Sequence, residues 1–366
     1  MKTKPRVALI HDFLREYGGA ERVVEALHEM FPDAPLYTAF VDKESMGIHW
    51  KKFQSWKIIE SWAASIPGIQ FLYSPLRMFA TNFFESFNFQ QYDLVISSTN
   101  MYMAKAVKVP PSTKHLCYCH TPPRSLYGYT TMTEWKKNPV THVLGTLINH
   151  YMRIVDFNTA QRPNQFIANS QEVQRRIQKF YRRESVVIYP PINVPQILPK
   201  KKKEDFCLFV GRLAASKHVD LVVRACTEMK KKLVVVGSGK PLEYLQSIAG
   251  PTVTFLGSVD DAVLHDLYSR ASMLIYPAED EDFGMIPVEA MAYGTPVIVH
   301  HSGGFLESVI DGKTGVFIYS FEQNELVQAI RRCEQISWDP QALYAHAKSF
   351  SKQRFQQEIL SLIKTL

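Results

Sequence analysis

Long apolar runs are missing from this chain. The longest uncharged aromatic-rich stretch, residues 61–76, is broken by Pro67, Gly68 and Pro75. That excludes a membrane-spanning helix there. Cysteine is scarce: five in 366 residues, odd in number and scattered at Cys117, Cys119, Cys207, Cys226 and Cys333. A disulfide scaffold is excluded, and a reduced, cytoplasmic protein is expected. No small-residue cleavage site follows the strand-length apolar run near the N-terminus, so no signal peptide is expected. His115, Cys117 and Cys119 alternate on one strand face, but no CxxC pairs exist. No metal is expected from that spacing. A dinucleotide fingerprint is also incomplete. After Gly237 and Gly239, Leu242 stands where the third glycine belongs, so NAD is not expected.

What is present is ordinary globular composition, with 46% hydrophobic and 21% charged residues. At roughly 150 residues per domain, two or three domains are expected. The net charge of +7 favours an anionic partner: nucleotide, phosphate, nucleic acid or membrane surface. Only residues 200–203 form a basic cluster and no nucleic-acid motif occurs, so nucleic acid is the weakest of these.

Apolar strand-like segments alternate with amphipathic helices. Residues 6–11, 92–97, 114–118, 164–168 and 185–189 read as strands, with helices at 20–30 and 170–180. A proline-rich linker, residues 190–199, leads into four lysines. The pattern then restarts with strands at 206–210, 232–236, 253–256, 273–276 and 296–299. The expectation is α/β architecture: two doubly wound parallel-sheet domains with a cleft between them, ligands sitting at the strands' carboxyl ends. The boundaries read as 1–192 for the first domain and 193–345 for the second. The last segment, 346–366, reads as a helix with Phe355, Ile359 and Ile363 on one face, packing back on the first domain. Residues 50–92 hold twelve aromatic residues interleaved with Lys51, Lys52, Lys57 and Arg77. They suit either a bilayer-interface surface or an aromatic core.

Five constellations carry chemistry. Gly18-Gly19, six residues past Asp12 and opening a helix, offers free N–H groups to a phosphate or sugar, or is simply a tight turn. Arg212 and Lys217, past a strand end, can hold a diphosphate as fork and point charge, or be two surface cations. Gly237 and Gly239 read as positions where a nucleotide passes near the backbone. Glu281 and Glu289 flank a loop and helix start, with Gly284 in the loop, Pro287 read as the first helical residue and Gly294 as the stop. A carboxylate accepts two hydroxyl protons, which suits a ribose or sugar diol, and backbone N–H groups near residues 283–285 take further oxygens. His120, at a strand end before Thr121-Pro122-Pro123, suits a polar contact to a reacting group or a hydrogen-bonded core position.

Together these residues resemble the retaining glycosyltransferases of family 4, which have the GT-B fold of two Rossmann-like domains. The Glu281-x7-Glu289 spacing is similar to that family's signature. Arg212 with Lys217 resembles its diphosphate pair, Gly18-Gly19 its glycine loop, and residues 253–259 its base-pocket segment. The resemblance implies that Arg212 and Lys217 neutralise the donor diphosphate and its leaving charge. Glu289 would hold the ribose hydroxyls. Glu281 would contact the transferred sugar, with Phe283, Gly284, Met285 and Ile286 beside it. Gly18 and Gly19 would bring N–H groups to phosphate or sugar, His120 would touch the sugar near its reacting carbon, and Gly257 to Val259 would meet the base. It implies retention by front-face attack, no enzymic nucleophile, and no metal or other cofactor.

Residues 18–27, 118–127, 156–170 and 281–290 further resemble bacterial mannosyltransferases of surface-polysaccharide assembly, lipopolysaccharide included. GDP-mannose is the donor this implies. The expected acceptor is a saccharide or polyprenyl-linked saccharide, and residues 50–92 with the net charge of +7 suit peripheral docking on the inner face of the cytoplasmic membrane to reach it. Arg124, Asp156, Arg162 and Asn169 match that subgroup, and Asp12 is a further acceptor or support position. Asn169-Ser170 also reads as a helix cap, and Arg162 as a partner of Asp156. The alternatives are a UDP- or ADP-sugar transferase of the same fold, a sugar-nucleotide epimerase, or a nucleic-acid-binding protein.

Overall fold

Apolar segments flanked by loops and helices satisfy their backbone groups by pairing in parallel, so they end buried on both faces. The computed structural model describes residues 5–129 and 139–366. It gathers them into two compact units, Met1–Pro191 with Phe355–Leu366, and Ile192–Arg354.

In the first unit the strands are β1 (Val7–His11), β2 (Leu36–Thr38), β3 (Ile58–Glu60), β4 (Leu94–Thr99), β5 (Lys114–Cys119), β6 (Gln165–Ala168) and β7 (Ser185–Val187). They run parallel in the order β3-β2-β1-β4-β5-β6-β7. Because successive strand residues point to opposite faces, Val7 and Leu9 enter one core with Leu36, Leu94, Ile96 and Leu116. Ala8 and Ile10 enter another with Val95, Phe83 and Tyr102. The helix Gly19–Met30 lays Val23, Val24 and Leu27 on the first of these. The same core takes Phe355 and Ile359 from the helix Lys352–Ile363.

In the second unit β8 (Cys207–Val210), β9 (Leu233–Val236), β10 (Val253–Gly257), β11 (Met273–Tyr276), β12 (Val297–His300) and β13 (Gly315–Ile318) form a parallel sheet. Its order is β10-β9-β8-β11-β12-β13. In each sheet the order reverses direction once, between β1 and β4 and between β8 and β11. Loops diverge at such points and leave a crevice at the carboxyl ends.

Three strands are absent from the sequence reading: β2, β3 and β13. The first two are three residues long, too short for a periodic signal. The expected strand at 92–97 instead runs Leu94–Thr99, because Ser97, Ser98 and Thr99 stay in the ladder and bury their hydroxyls. The last segment is not one helix from 346. The helix Pro340–Lys348 precedes Lys352–Ile363, and residues up to Arg354 belong to the second unit.

Residues 50–92 are part core and part surface. Phe53, Phe83, Phe84 and Phe89 are core, whereas Trp62, Phe71, Leu72 and Phe79 are exposed, Phe71 by 78%. The helix Pro139–Thr159 also exposes Leu147, Tyr151 and Ile154, spaced as one helical face. Arg77 ties the two regions by donating to Asn149 at 2.6 Å and Ser125 at 3.1 Å. Among the described residues no helix is long and apolar enough to cross a membrane.

Candidate functional site

Both sheets carry their chemistry-bearing residues at the reversal points. In the second unit, β8 ends at Val210 and the chain turns through Gly211, φ +147°. The next loop over, after β9, turns through Gly237, φ +130°. The two loops pair: Gly211 N–H donates to Val236 at 3.0 Å and Leu213 N–H to Ser238 at 2.9 Å. A Cβ on Gly237 would lie 1.9 Å from the Gly211 carbonyl oxygen, and one on Gly239 2.1 Å from that of Leu213. Their missing Cβ atoms admit the neighbouring loop, the one bearing Arg212 and Lys217.

Arg212 is exposed at the end of that loop's first turn. Lys217 is held inward by Ser216, whose carbonyl accepts from Glu279 N–H at 2.9 Å. Its Nζ lies 2.5 Å from Glu281 Oε2 and 5.1 Å from the centre of the Tyr276 ring. Burial opposes the ammonium charge. The nearby Glu281 carboxylate more than reverses this, so the Lys217 pKa is raised. The pair keeps 12% and 18% side-chain exposure.

Glu281 sits on a loop clamped from behind. Gly304 N–H donates to the Glu281 carbonyl at 2.9 Å. A Cβ on Gly303 would lie 2.4 Å from that oxygen, and one on Gly304 2.3 Å from Phe283 Cα. These two glycines went unnoticed in the sequence, because only the tertiary approach of two loops gives them a role. Phe283 is buried against Phe350, and its carbonyl accepts from Ser308 at 3.1 Å. Gly284 takes the left-handed conformation, φ +88°, and precedes the helix Met285–Ala292. That helix begins two residues before the expected start, so Pro287 is its third residue. Proline fits there because first-turn N–H groups have no intrahelical partner. Met285 and Ile286 are half-buried. Glu289 is 5% exposed, and its Oε2 accepts from Tyr268 at 3.2 Å. Gly257, φ +68°, ends β10 and its carbonyl accepts from Gly237 N–H at 2.8 Å; Val259 follows, half-buried.

In the first unit the register sets His11 of β1 beside Ser98 of β4. His120, just past β5, hangs from Thr99 through its N–H at 2.9 Å. A buried chain of contacts results. His120 Nε2 is 2.8 Å from Ser98 Oγ, which is 3.1 Å from His11 Nδ1. His11 Nε2 is 3.2 Å from Glu21 Oε1, and Gly18 N–H donates to Glu21 Oε2 at 2.8 Å. Burial opposes a charge on His11, but the Glu21 hydrogen bond and the charges of Glu21 and Asp12 raise its pKa. Burial works upward on Glu21, and His11 with the Gly18 amide brings it below the usual carboxylate value. His120 is pushed down to about 4 by burial and by His11. The helix Gly19–Met30 takes Gly18 as its cap, with φ −128°, so Gly18 is not demanded by backbone sterics.

The supporting residues divide by role. Asp12 is spent on structure. Its Oδ2 accepts from the amides of Asn100, Met101 and Tyr102 at 2.7, 2.9 and 3.0 Å, and its Oδ1 from Ala104 at 2.7 Å. Asp156 is fully buried, ion-paired with Lys105 and accepting from Tyr127 at 2.8 Å and Tyr181 at 3.3 Å. The expected Arg162–Asp156 pair does not form: Arg162 binds Glu85 at 2.6 Å and the Ala106 carbonyl. Ser170 caps the helix Gln171–Tyr181 and donates to Asn169 Oδ1 at 3.2 Å. Arg124 opens the short helix Arg124–Tyr127. His115 is buried on Ser97 at 2.8 Å, and Asp280 and Asp282 flank Glu281. Among the described residues no three His, Cys, Asp or Glu side chains converge as metal ligands would.

Comparison with known proteins places these geometries in context. Residues 192–350 match the family described as Glycosyl transferases group 1. The O-antigen chain mannosyltransferase RfbU of Salmonella typhimurium is 30% identical over 197 residues, 51% of this chain and 55% of the relative. A GDP-mannose-dependent alpha-mannosyltransferase of Mycolicibacterium smegmatis is 36% identical over 110 residues, 30% of this chain and 29% of the relative. The first curated relatives are spanned over only 38% to 55% of their own length. Among solved structures, Anabaena HepE in complex with UDP and glucose aligns with a TM-score of 0.70 at 18% identity, covering 99% of this chain and 100% of that one. Sucrose-phosphate synthase from Thermosynechococcus elongatus aligns at 0.71 and 19% identity, covering 99% of each.

Proposed function

From residues 192–350 as a glycosyl transferases group 1 domain, within a chain of GT-B fold, we propose that this protein is a retaining, metal-independent hexosyltransferase. It moves mannose from GDP-mannose to a saccharide or lipid-linked saccharide of the cell surface. The observation that carries the reading is the Lys217–Glu281 pair, 2.5 Å apart across the β8/β11 reversal, with Lys217 on the loop that also bears Arg212. A cation held charged by a carboxylate is ready to receive a diphosphate. Arg212 and Lys217 then stabilise the charge that grows on the leaving phosphate, the task a divalent metal performs elsewhere. Glu289 accepts from the ribose hydroxyls, and Glu281 from the sugar.

In the transfer, the acceptor oxygen bonds to the sugar's anomeric carbon as the bond from that carbon to phosphate oxygen breaks. Attack comes from the leaving group's own face, so configuration is retained. The acceptor proton passes to the departing phosphate oxygen. No side-chain nucleophile is needed. His120 contacts the sugar.

The mannosyltransferase relatives support GDP-mannose as donor; HepE, in complex with UDP and glucose, keeps the UDP alternative in the test. Exposed Trp62, Phe71, Leu72 and Phe79, with a net charge of +7, support docking on anionic membrane. Thermal shift with GDP, UDP and ADP tests the donor. GDP at 100 times its dissociation constant stabilises by about 2.7 kcal/mol. A shift with UDP or ADP alone discards GDP-mannose. Turnover of GDP-mannose that EDTA abolishes and a divalent metal restores refutes the metal-free mechanism. Flotation with anionic liposomes, lost in Phe71→Ser/Phe79→Ser, tests membrane docking; no flotation of the unaltered protein refutes it.

A further inference from the structure

The contacts along the buried chain from Glu21 to His120, the Ser98 carbonyl included, point to one placement of its protons. Glu21 Oε1, a carboxylate oxygen, can only accept, so His11 Nε2, 3.2 Å away, donates. The Ser98 carbonyl, 3.3 Å from His11 Nδ1, also can only accept, so Nδ1 donates as well. With both nitrogens protonated, His11 is an imidazolium paired with Glu21, and its Nδ1–H is shared between the Ser98 carbonyl and Ser98 Oγ. The Ser98 hydroxyl has one hydrogen. It cannot point back at a donor, so it points at His120 Nε2, 2.8 Å away. His120 Nε2 is thereby an acceptor, and the ring's single proton sits on Nδ1.

We infer that Glu21, acting through His11 and Ser98, holds His120 as the neutral Nδ1–H tautomer, so that His120 meets the transferred sugar as a hydrogen-bond donor. The functional half of this rests on the proposed contact between His120 and the sugar. Glu21, His11 and Ser98 are positioning residues: each acts through the next. A donor from a neutral ring suits a sugar hydroxyl or ring oxygen, because it stabilises without placing a positive charge beside a reacting carbon that itself becomes cationic. The depressed His120 pKa agrees with a ring that stays neutral. The other oxygen of Glu21 accepts from Gly18 N–H at 2.8 Å. One carboxylate thus sets both the glycine turn and the proton on His120.

The test is imidazole nitrogen NMR on the full chain labelled at histidine, with His120 assigned by its absence in His120→Gln. The expected spectrum shows His120 with a protonated Nδ1 and a lone pair on Nε2, and His11 protonated at both nitrogens. In Ser98→Ala the proton of His120 moves to Nε2, the form free imidazole side chains favour. In that variant kcat falls about tenfold or more, while GDP affinity stays within about twofold. A proton on Nε2 of His120 in the unaltered protein, or a neutral His11, overturns the inference. That spectrum decides the tautomer even where Ser98→Ala does not fold. Ser98→Thr, which keeps the hydroxyl, is expected to keep the Nδ1 proton. If the tautomer is as stated and moves in Ser98→Ala while kcat does not change, the contact between His120 and the sugar is refuted and only the hydrogen-bonded chain survives.

Discussion

Replacing Lys217 by Ala removes one charge that has two tasks. Its Nζ is 2.5 Å from Glu281 and lies over the Tyr276 ring. In the proposed reaction it stabilises the leaving diphosphate. Loss of one preorganised group aimed at developing charge costs about 2–4 kcal/mol in the transition state, a fall of about 30- to 900-fold in kcat. The stability cost is smaller. Glu281 loses its ion-pair partner but keeps 18% exposure, so water recovers part of the loss; about 1–2 kcal/mol is expected. The assay is steady-state release of GDP from GDP-mannose with a saccharide acceptor, beside urea unfolding of the same preparation. Glu281→Gln separates the tasks. It leaves Lys217 cationic and is expected to lose less affinity for GDP than Lys217→Ala. Turnover of Lys217→Ala within about twofold of the unaltered enzyme would refute the reasoning, whatever its stability.

Glu289→Ala is expected to weaken GDP binding about tenfold or more, since hydrogen bonds to a charged acceptor contribute about 1.5–3 kcal/mol; calorimetry showing unchanged affinity removes Glu289 from the ribose. Gly237→Ala places a Cβ 1.9 Å from the Gly211 carbonyl at φ +130°, so the Arg212–Lys217 loop must move. A loss of GDP affinity and of more than ~2 kcal/mol in urea unfolding is expected, and an undisturbed variant would contradict the loop contact. Stability is expected to fall with acid from below about pH 6.5. The folded pKa of His120 is about 4 and that of His115 about 3, both depressed by burial, so between pH 6.5 and those values the unfolded chain binds protons the folded one refuses. His120 contributes about 3 kcal/mol and His115 about 5 kcal/mol, and a urea midpoint that stays flat from pH 6.5 to 4.5 would contradict this. Phe355→Ala empties a fully buried position in the first unit's core and is expected to cost about 3–5 kcal/mol of unfolding free energy.

Much was legible along the chain because local chemistry wrote it there. Apolar strand-length runs alternating with amphipathic helices specify two parallel α/β units, since such strands are stable only when both faces are covered. Arg212, Lys217 and Glu281 stood out because charged residues in the loops past apolar strands mark the carboxyl ends of a sheet, and Glu289 because it follows Glu281 across a loop and helix start. The short strands Leu36–Thr38 and Ile58–Glu60 carried no such signal; Leu36–Thr38 is a strand because it pairs with the edge of Val7–His11, and Ile58–Glu60 because it pairs with Leu36–Thr38 in turn. Pairings across the fold were equally invisible. Asp12 gathers amides from residues 100–104, Asp156 takes Lys105 rather than Arg162, and Gly237, Gly239, Gly303 and Gly304 make room for loops distant in sequence. The sequence by itself determined which side chains reach the ends of the strands. Tertiary structure alone decided which of them meet: the β1–β4 register puts His11 against Ser98, 87 residues away. A hydrogen bond requires two groups within about 3 Å, and only the packed sheet brings residues so far apart in sequence to that distance.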